Sequence, residues 1–542
     1  MKKRISLVAV LVVCLLVTTL CLTACNKEHV LELDENLQAN IIDDNYRTFY
    51  EIFVGGFSDS NGDGIGDLRG VINRLDYLND GDPNSGKSLG INGIWLMPIM
   101  QSPSYHKYDV SDYKSVDAQY GTLDDIKELA RECKARGIKL IIDLVLNHTA
   151  TWNEWFIRAQ RAIQNGAVDD PYYDYYTKST TKQGGWYEFA KDPDGTQWYY
   201  EGNFSSTMPE LNYDNPAVKT EIEQIVKFWL NEVGVDGFRL DAVRYIYYGD
   251  TARNVEFLTW FREFCQGVKQ DVYIVGEDWN NTTEELNYYK AIDVFNFGVG
   301  TNVMNALQGQ MISAFTNSLV DYYNAAKAAR PDAILQPFLS NHDQDRIAGN
   351  VYFYGRDEKG ATKFLSANAK MAANMYLLSP GSPFIYYGEE IGMMGSRGSA
   401  QTDANRRLAM LWGDKDKVSD PEGSTYSKDN QINGTVKSQV GDVNSLYNHY
   451  KLLIAIRNAN PEIARGDVVE VSGIVNGSTA CVLKFTYNGS TVYVLHNISN
   501  YELEVNLSSL GITTLRAVAG EGGATLNGAT LTLGGKTTVV IK

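Results

Sequence analysis

The stretch GFRLDAVRY, residues 237–245, sets Arg239 and Asp241 two positions apart inside an apolar run. Side chains on a strand alternate faces, so these two point the same way. A run this short and this apolar is what a parallel strand covered on both sides requires. A charge pair aimed at one spot from such a strand is either a buried salt bridge or part of a site.

Working outward, seven further short apolar runs occur at 48–54, 93–98, 139–146, 272–277, 294–297, 336–340 and 383–387. Between most of them lie amphipathic segments such as 123–136, 217–233 and 254–268. Strand–helix alternation repeated eight times predicts an α/β fold, a (β/α)8 TIM barrel. A doubly wound open sheet would carry a glycine-rich phosphate turn after its first strand, and none is present. Residues 147–212, rich in Tyr, Trp, Asp and Gly, are too long for a loop and predict an inserted domain after the third strand. Trp152, Trp155, Trp186 and Trp198 are candidates for a cleft wall or for the core of that insertion. After about residue 459, runs at 468–471, 480–487, 491–497, 503–507 and 530–541 are punctuated by Gly and Asn without a long helix. They predict a C-terminal all-β sandwich domain. The expected organisation is a barrel of 44–146 and 213–458, an insertion of 147–212 and a β-domain of 459–542.

The 542 residues carry a net charge of −17 with a pI near 4.9, which disfavours nucleic acid and anionic membrane surfaces and suits a neutral ligand or a cation. Many of the 34 Tyr, 19 Phe and 9 Trp must be core, but such an excess of Tyr and Trp also fits surfaces that stack on sugars or form recognition patches. At the start, Lys2, Lys3 and Arg4 precede an apolar run and then Leu22-Thr23-Ala24-Cys25, the pattern of a secretory signal. Its ending resembles a bacterial lipobox. That implies removal of 1–24, a lipid on Cys25, a tether of 25–43, and an extracellular, cell-surface protein anchored to the membrane by that lipid. A plain transmembrane anchor is the other reading. Cys133, Cys265 and Cys481 are scattered and read as buried free thiols.

In a barrel, chemistry gathers at the C-terminal strand ends. There the sequence delivers Asp143 and Asn147-His148, Arg239 and Asp241, Glu277-Asp278-Trp279, and Asn341-His342-Asp343. No Ser/His/Asp set and no zinc-spaced His/Cys cluster accompanies them. The four segments DLVLNH (143–148), GFRLDAVRY, VGEDW (275–279) and FLSNHD (338–343) resemble, in order and in register, those of the α-amylase family of glycoside hydrolases. By that resemblance Asp241 is the nucleophile of a retaining double displacement, Glu277 the general acid and then base, and Asp343 the stabiliser of the distorted, oxocarbenium-like sugar. One carboxylate must be ionised to attack while the other holds a proton. Arg239 should keep Asp241 ionised. His148 and His342, as neutral imidazoles, and Tyr108, stacked under the sugar, resemble the family's substrate-binding residues; Asp143 orients Arg239.

Asp59-Ser-Asn-Gly-Asp-Gly-Ile-Gly-Asp67 places oxygens at every second position with glycines between. Hard cations want several oxygen ligands. The run looks like the start of an EF-hand loop, but Gly70 stands where the bidentate Glu would be. Within the family it resembles a structural Ca2+ loop using Asp59, Asn61, Asp63, the Ile65 carbonyl and Asp67; an Asx-rich turn without metal is the alternative. Asn147 matches one ligand of a second family ion, but Arg244-Tyr245 stand where many members carry Lys-His.

Met208-Pro-Glu-Leu-Asn212 resembles the segment of members intermediate between oligo-1,6-glucosidases and neopullulanases. Tyr105 occupies the place where chain-end-cutting members carry an aspartate. The resemblance therefore implies a monomeric α-amylase that cleaves internal α-1,4 bonds of starch and maltodextrins. A 4-α-glucanotransferase, a maltooligosaccharide or cyclodextrin hydrolase, and a non-catalytic glucan binder are the alternatives.

Overall fold

The computed structural model describes residues 44–279, 282–356 and 358–542. The expected signal, lipid site and tether (1–43) lie outside the described residues. Eight parallel strands form one sheet: β1 Phe49–Ile52, β2 Gly93–Leu96, β3 Lys139–Leu144, β4 Gly237–Leu240, β5 Tyr273–Gly276, β6 Asp293–Asn296, β7 Gln336–Pro337 and β8 Phe384–Tyr386. The order is β7-β6-β5-β4-β3-β2-β1-β8. The Ser382 N–H donates to the Leu335 carbonyl at 2.7 Å, bringing the two ends of that order together, so the barrel is nearly closed. Each strand coincides with one of the eight predicted runs.

Period-two alternation sorts the strand residues into two apolar clusters. Tyr50, Ile52, Ile94, Leu96, Leu140, Ile142, Phe238 and Leu240 join the large core shared with the surrounding helices. Their neighbours Phe49, Trp95, Ile141, Tyr273, Val275, Phe295 and Phe384 form a separate cluster inside the barrel. Phe49 stacks on Phe384 with ring centres 4.6 Å apart, and Trp95 meets Phe295 at 5.3 Å. One step of two residues further along lie Glu51, Asp143, Asp241 and Glu277. The barrel thus has an aromatic floor and a layer of acids above it.

The helices follow from local signals. Thr122 and Asp125 form a capping box on Leu123–Ala135, whose buried face is Ile126, Leu129, Ala130 and Cys133. Gly237 opens β4 where a side chain could not fit, since an added Cβ would lie 1.9 Å from the Tyr273 carbonyl oxygen. Between β3 and β4 the chain makes the helix Glu154–Gln164 and a three-stranded antiparallel sheet, with Phe156 stacked on Phe189 at 4.7 Å. Trp155 stacks on Tyr113 at 5.5 Å and Trp198 donates to Asp192, so both are engaged in local packing, whereas Trp152 is 58% exposed.

Beyond β8, a five-stranded sheet (Asp467–Glu470, Ala480–Tyr487, Ser490–Asn497, Thr537–Ile541, Leu515–Gly520) faces a three-stranded one (Leu503–Asn506, Thr530–Leu533, Ala524–Asn527). Val482, Leu495, Val505, Leu531, Leu533 and Val539 fill the space between them. Cys481, Leu483, Phe485, Val492 and Val494 point the other way and belong to the core of the barrel. Cys133, Cys265 and Cys481 are free and buried, as the sequence implies. Among the described residues no helix is long and apolar enough to cross a membrane.

Candidate active site

Parallel pairing builds the centre of the site. The register sets Arg239 on β4 directly beside Asp143 on β3 and Val275 on β5. Arg239 is fully buried, over the Trp95 ring at 5.2 Å, so its charge must be answered by its neighbours. Its Nη1 donates to both Asp143 oxygens at 3.0 Å and to Asp241 Oδ1 at 2.6 Å. Its Nη2 lies 3.9 Å from Glu277 Oε2. The side chains of Asp241 and Glu277 remain 14% and 12% exposed, enough to reach a ligand.

Glu277 receives a hydrogen bond from the Ala242 N–H at 2.9 Å. Ala242 adopts a left-handed conformation, with φ of +49°, immediately after Asp241. Burial pushes the Glu277 carboxyl up to about 7; Arg239 opposes this, and the Asp241 and Asp343 charges reinforce it. Three acids thus face one guanidinium: Asp143 and Asp241 are in hydrogen-bond contact and Glu277 lies further off, and burial pushes both the Asp143 and the Glu277 carboxyl up to about 7.

On the opposite side, Asp343 accepts from Arg407 Nη2 at 2.7 Å and lies 2.9 Å from His342 Nε2. Burial raises its pKa, but His342 and Arg407 outweigh that and hold it well below the usual carboxylate range. His342 also contacts Glu51 Oε1 through Nδ1 at 2.6 Å and the Tyr108 hydroxyl through Nε2 at 2.7 Å. Burial of the ring resists charge, yet Asp343 and Glu51 push its pKa up to about 9. The expectation of a neutral His342 is therefore corrected: two carboxylates flank the ring. His148 fits the neutral reading, because burial lowers its pKa; its Nε2 is 3.2 Å from the Tyr108 carbonyl. Tyr108 stacks on His342 with ring centres 5.6 Å apart and donates to Asp143 Oδ2 at 3.1 Å.

Asp241, Glu277, Asp343, Tyr108, His148, Arg239 and His342 thus form one connected network at the C-terminal end of the barrel. Sequence reasoning missed Glu51, although it lies in the first predicted run two residues after Phe49, the same signal that singled out Asp241. It also missed Arg407, whose Nη1 donates to the Tyr105 hydroxyl at 3.3 Å. A run of rings leads outward from the site: His148 to Phe204 (5.4 Å), Phe204 to Tyr245 (4.8 Å), and Tyr245 stacked on Tyr248 (5.3 Å). Phe204 and Tyr248 are 47% and 63% exposed. Arg244 Nη1 reaches the Trp279 carbonyl at 3.4 Å, so this wall adjoins the segment that carries Glu277.

The Asp59–Asp67 loop lies apart from this network. Asp59 accepts the N–H groups of Asn61, Gly62 and Gly64, Asn61 that of Asp63, and Asp63 that of Ile65. Asp67 accepts from Ser60 and caps the helix Leu68–Asn73 through the Gly70 N–H. These are linked Asx turns. Among the described residues no group of three or more His, Cys, Asp or Glu side chains converges as a metal cage would require. Asn147 Oδ1 and Glu210 Oε2 are buried acceptors without a partner.

The family model for "Alpha amylase, catalytic domain" matches residues 51–466. The chain belongs to the α-amylase family. Alpha-amylase 3 of Dictyoglomus thermophilum is 37% identical over 471 residues, covering 85% of this chain and 86% of that protein. The oligo-1,6-glucosidase of Parageobacillus thermoglucosidasius is 30% identical over 504 residues, covering 77% and 84%. Among solved structures, Eubacterium rectale Amy13B superposes with a TM-score of 0.83 at 40% identity, over 93% of this chain and 97% of that one. The protein is therefore a glycoside-hydrolase-family chain, and relatives with different α-glucosidic activities stand near it.

Proposed function

We propose that the protein is a retaining α-amylase that cleaves internal α-1,4 bonds of starch and maltodextrins. The observation that carries this reading is the convergence of three carboxyl groups from separate strands: Asp241 hydrogen-bonded to Arg239, Glu277 beside the same guanidinium with burial pushing it up to about 7, and Asp343 held well below the usual carboxylate range by His342 and Arg407. In the first step Asp241 attacks the anomeric carbon as Glu277 gives its proton to the glycosidic oxygen, leaving a glycosyl ester. In the second, Glu277 takes a proton from water, which displaces Asp241. Asp343, kept anionic, faces the sugar as positive charge develops; Tyr108 lies beneath the ring, His148 offers a polar contact to its hydroxyls, and the fully buried His342 acts through Asp343 and Tyr108.

Internal cleavage is supported by Tyr105. Its hydroxyl accepts from Arg407, so this arginine is not paired there with a carboxylate that would grip a chain end. The test is the product profile. Starch should lose viscosity well before reducing sugar accumulates, and maltoheptaose should yield mid-sized products. Release of glucose alone from chain ends would overturn the reading.

A second reading, 4-α-glucanotransfer, is favoured by the Phe204–Tyr245–Tyr248 rings on the Glu277 side, where a leaving or accepting glucan would lie. Products longer than a maltoheptaose substrate would support it.

The Asp59–Asp67 loop offers only oxygen ligands, the kind Ca2+ takes; Asp59 Oδ1 and Asp67 Oδ2 each already accept two hydrogen bonds, so binding the ion there would exchange some of these turn contacts for metal contacts. Asp59, Asn61, Asp63, Asp67 and the Ile65 carbonyl would hold it in a structural role. The lipobox-like Leu22–Cys25 supports attachment to the outer cell surface through Cys25.

A further inference from the structure

His342 lies between two carboxylates with no exposed surface of its own. Glu51, from β1, is 2.6 Å from Nδ1; Asp343 is 2.9 Å from Nε2. An ionised carboxylate only accepts. The Tyr108 hydroxyl lies 2.7 Å from Nε2 and 3.1 Å from Asp143 Oδ2; when it donates to Asp143, its oxygen accepts from the ring. Each ring nitrogen thus faces a carboxylate that takes a proton from it, and Tyr108 in that orientation does the same.

The remaining groups around the ring agree. Trp95 meets it edge-on at 5.6 Å and offers no charge. Arg407 donates through Nε to the His342 carbonyl at 3.3 Å and through Nη2 to Asp343. Asp143, from β3, is held by Arg239. Glu51 is the one carboxylate at Nδ1, and it is 1% exposed.

We infer that Glu51 is a positioning residue for the reaction: it holds His342 as a doubly donating imidazolium and cancels that charge, so that Asp343 faces the sugar with its own negative charge intact. The inference rests on the glycosidase reading of the site. Without Glu51, a protonated His342 would neutralise Asp343 in front of a developing oxocarbenium ion. An unprotonated one would donate from Nε2 alone, and the imidazolium that helps hold Asp343 anionic would be lost. Either outcome weakens stabilisation of the transition state more than binding of the ground state.

The direct test needs no substrate. The chain has six histidines. In protein labelled with 15N-histidine, the His342 signals are identified by their loss in His342→Gln. Both ring nitrogens should show the protonated shift from pH 5 to pH 8. A non-protonated shift at either nitrogen, including the case in which Glu51 holds the proton, overturns the inference whatever the enzyme's activity. The second arm is kinetic. Glu51→Gln should lower kcat at least tenfold with little change in KM, and should move the alkaline limb of kcat/KM toward lower pH. Glu51→Asp should restore part of that limb. A Glu51→Gln profile of unchanged shape, scaled down or not, shows a merely structural residue. A wild-type protein inert on every α-glucan would instead sink the functional reading while leaving the NMR result standing.

Discussion

The backbone N–H of Ala242 donates to the carboxylate of Glu277 at 2.9 Å, and it can do so because Ala242 is left-handed. The turn after the proposed nucleophile therefore positions the proposed acid. A non-glycine residue in this region carries about 1–2 kcal/mol of strain. Ala242→Gly should retain activity within about threefold and not lower the melting temperature, since glycine adopts this region freely. Ala242→Val should lose activity by about a hundredfold or more, because a β-branched residue resists positive φ. Side-by-side kcat values and thermal melts check both.

Asp241→Asn and Glu277→Gln each remove a chemical step. Loss of the acid should cost about 10²–10⁴ in turnover, and loss of the nucleophile on the order of 10⁴ or more. Maltoheptaose binding, measured calorimetrically, should persist in both. Substantial residual turnover in either variant would place the chemistry elsewhere.

The raised pKa of Glu277 has a sign in both activity and stability. The acid must be protonated to act, so kcat/KM should fall as pH rises through about 7. A carboxyl whose folded pKa exceeds its unfolded value stabilises most below the unfolded pKa. That contribution is lost as pH rises through the folded one. Glu389 shows the stability effect away from the chemistry. It is buried, accepts from Tyr376 at 2.7 Å and Tyr450 at 3.0 Å, and burial pushes it up to about 8. Glu389→Gln should therefore melt increasingly above wild type as pH is raised from 5 to 8. A constant offset would contradict the assignment.

Calcium added to chelator-treated protein should raise its melting temperature by a few degrees, roughly what ligand at 100 times its Kd provides for a protein of this size. Asp63→Ala should abolish the rise while leaving kcat on maltoheptaose unchanged, because Asp63 is exposed and bonded only within its own loop.

Tyr105→Asp would set a carboxylate beside Arg407 in place of a hydroxyl. The ratio of activity on maltotriose to activity on starch should rise several-fold, as one end of the cleft closes. No change in that ratio would remove Tyr105 from the account of internal cleavage.

All eight barrel strands were legible because each is a short apolar run, a property that adjacent residues carry by themselves. Asp241, Glu277 and Asp343 were legible as charges at the ends of such runs, and the resemblance to the α-amylase family singled them out from Asp143 and Asp278. Glu51 satisfied the same rule and was passed over, since its partner His342 is 291 residues away and no local pattern announces that contact. Arg407, 64 residues from Asp343, escaped for the same reason. His342 was misjudged because protonation depends on what surrounds a ring in space. In the Asp59–Asp67 loop, alternate oxygens are equally suited to ions and to backbone N–H groups, and spacing alone does not separate the two uses.

The sheet that includes Ala480–Tyr487 wears apolar side chains on both faces, and one face completes the barrel's own core. Asn374, in the helix after β7, donates to the Ala519 carbonyl and to Thr538 of the same sheet. During synthesis the barrel therefore emerges with part of its wall uncovered, and that surface stays wet until residues some hundred positions later arrive. Cutting the chain near residue 466 to isolate an enzyme module should yield a sticky, aggregating fragment rather than a smaller enzyme.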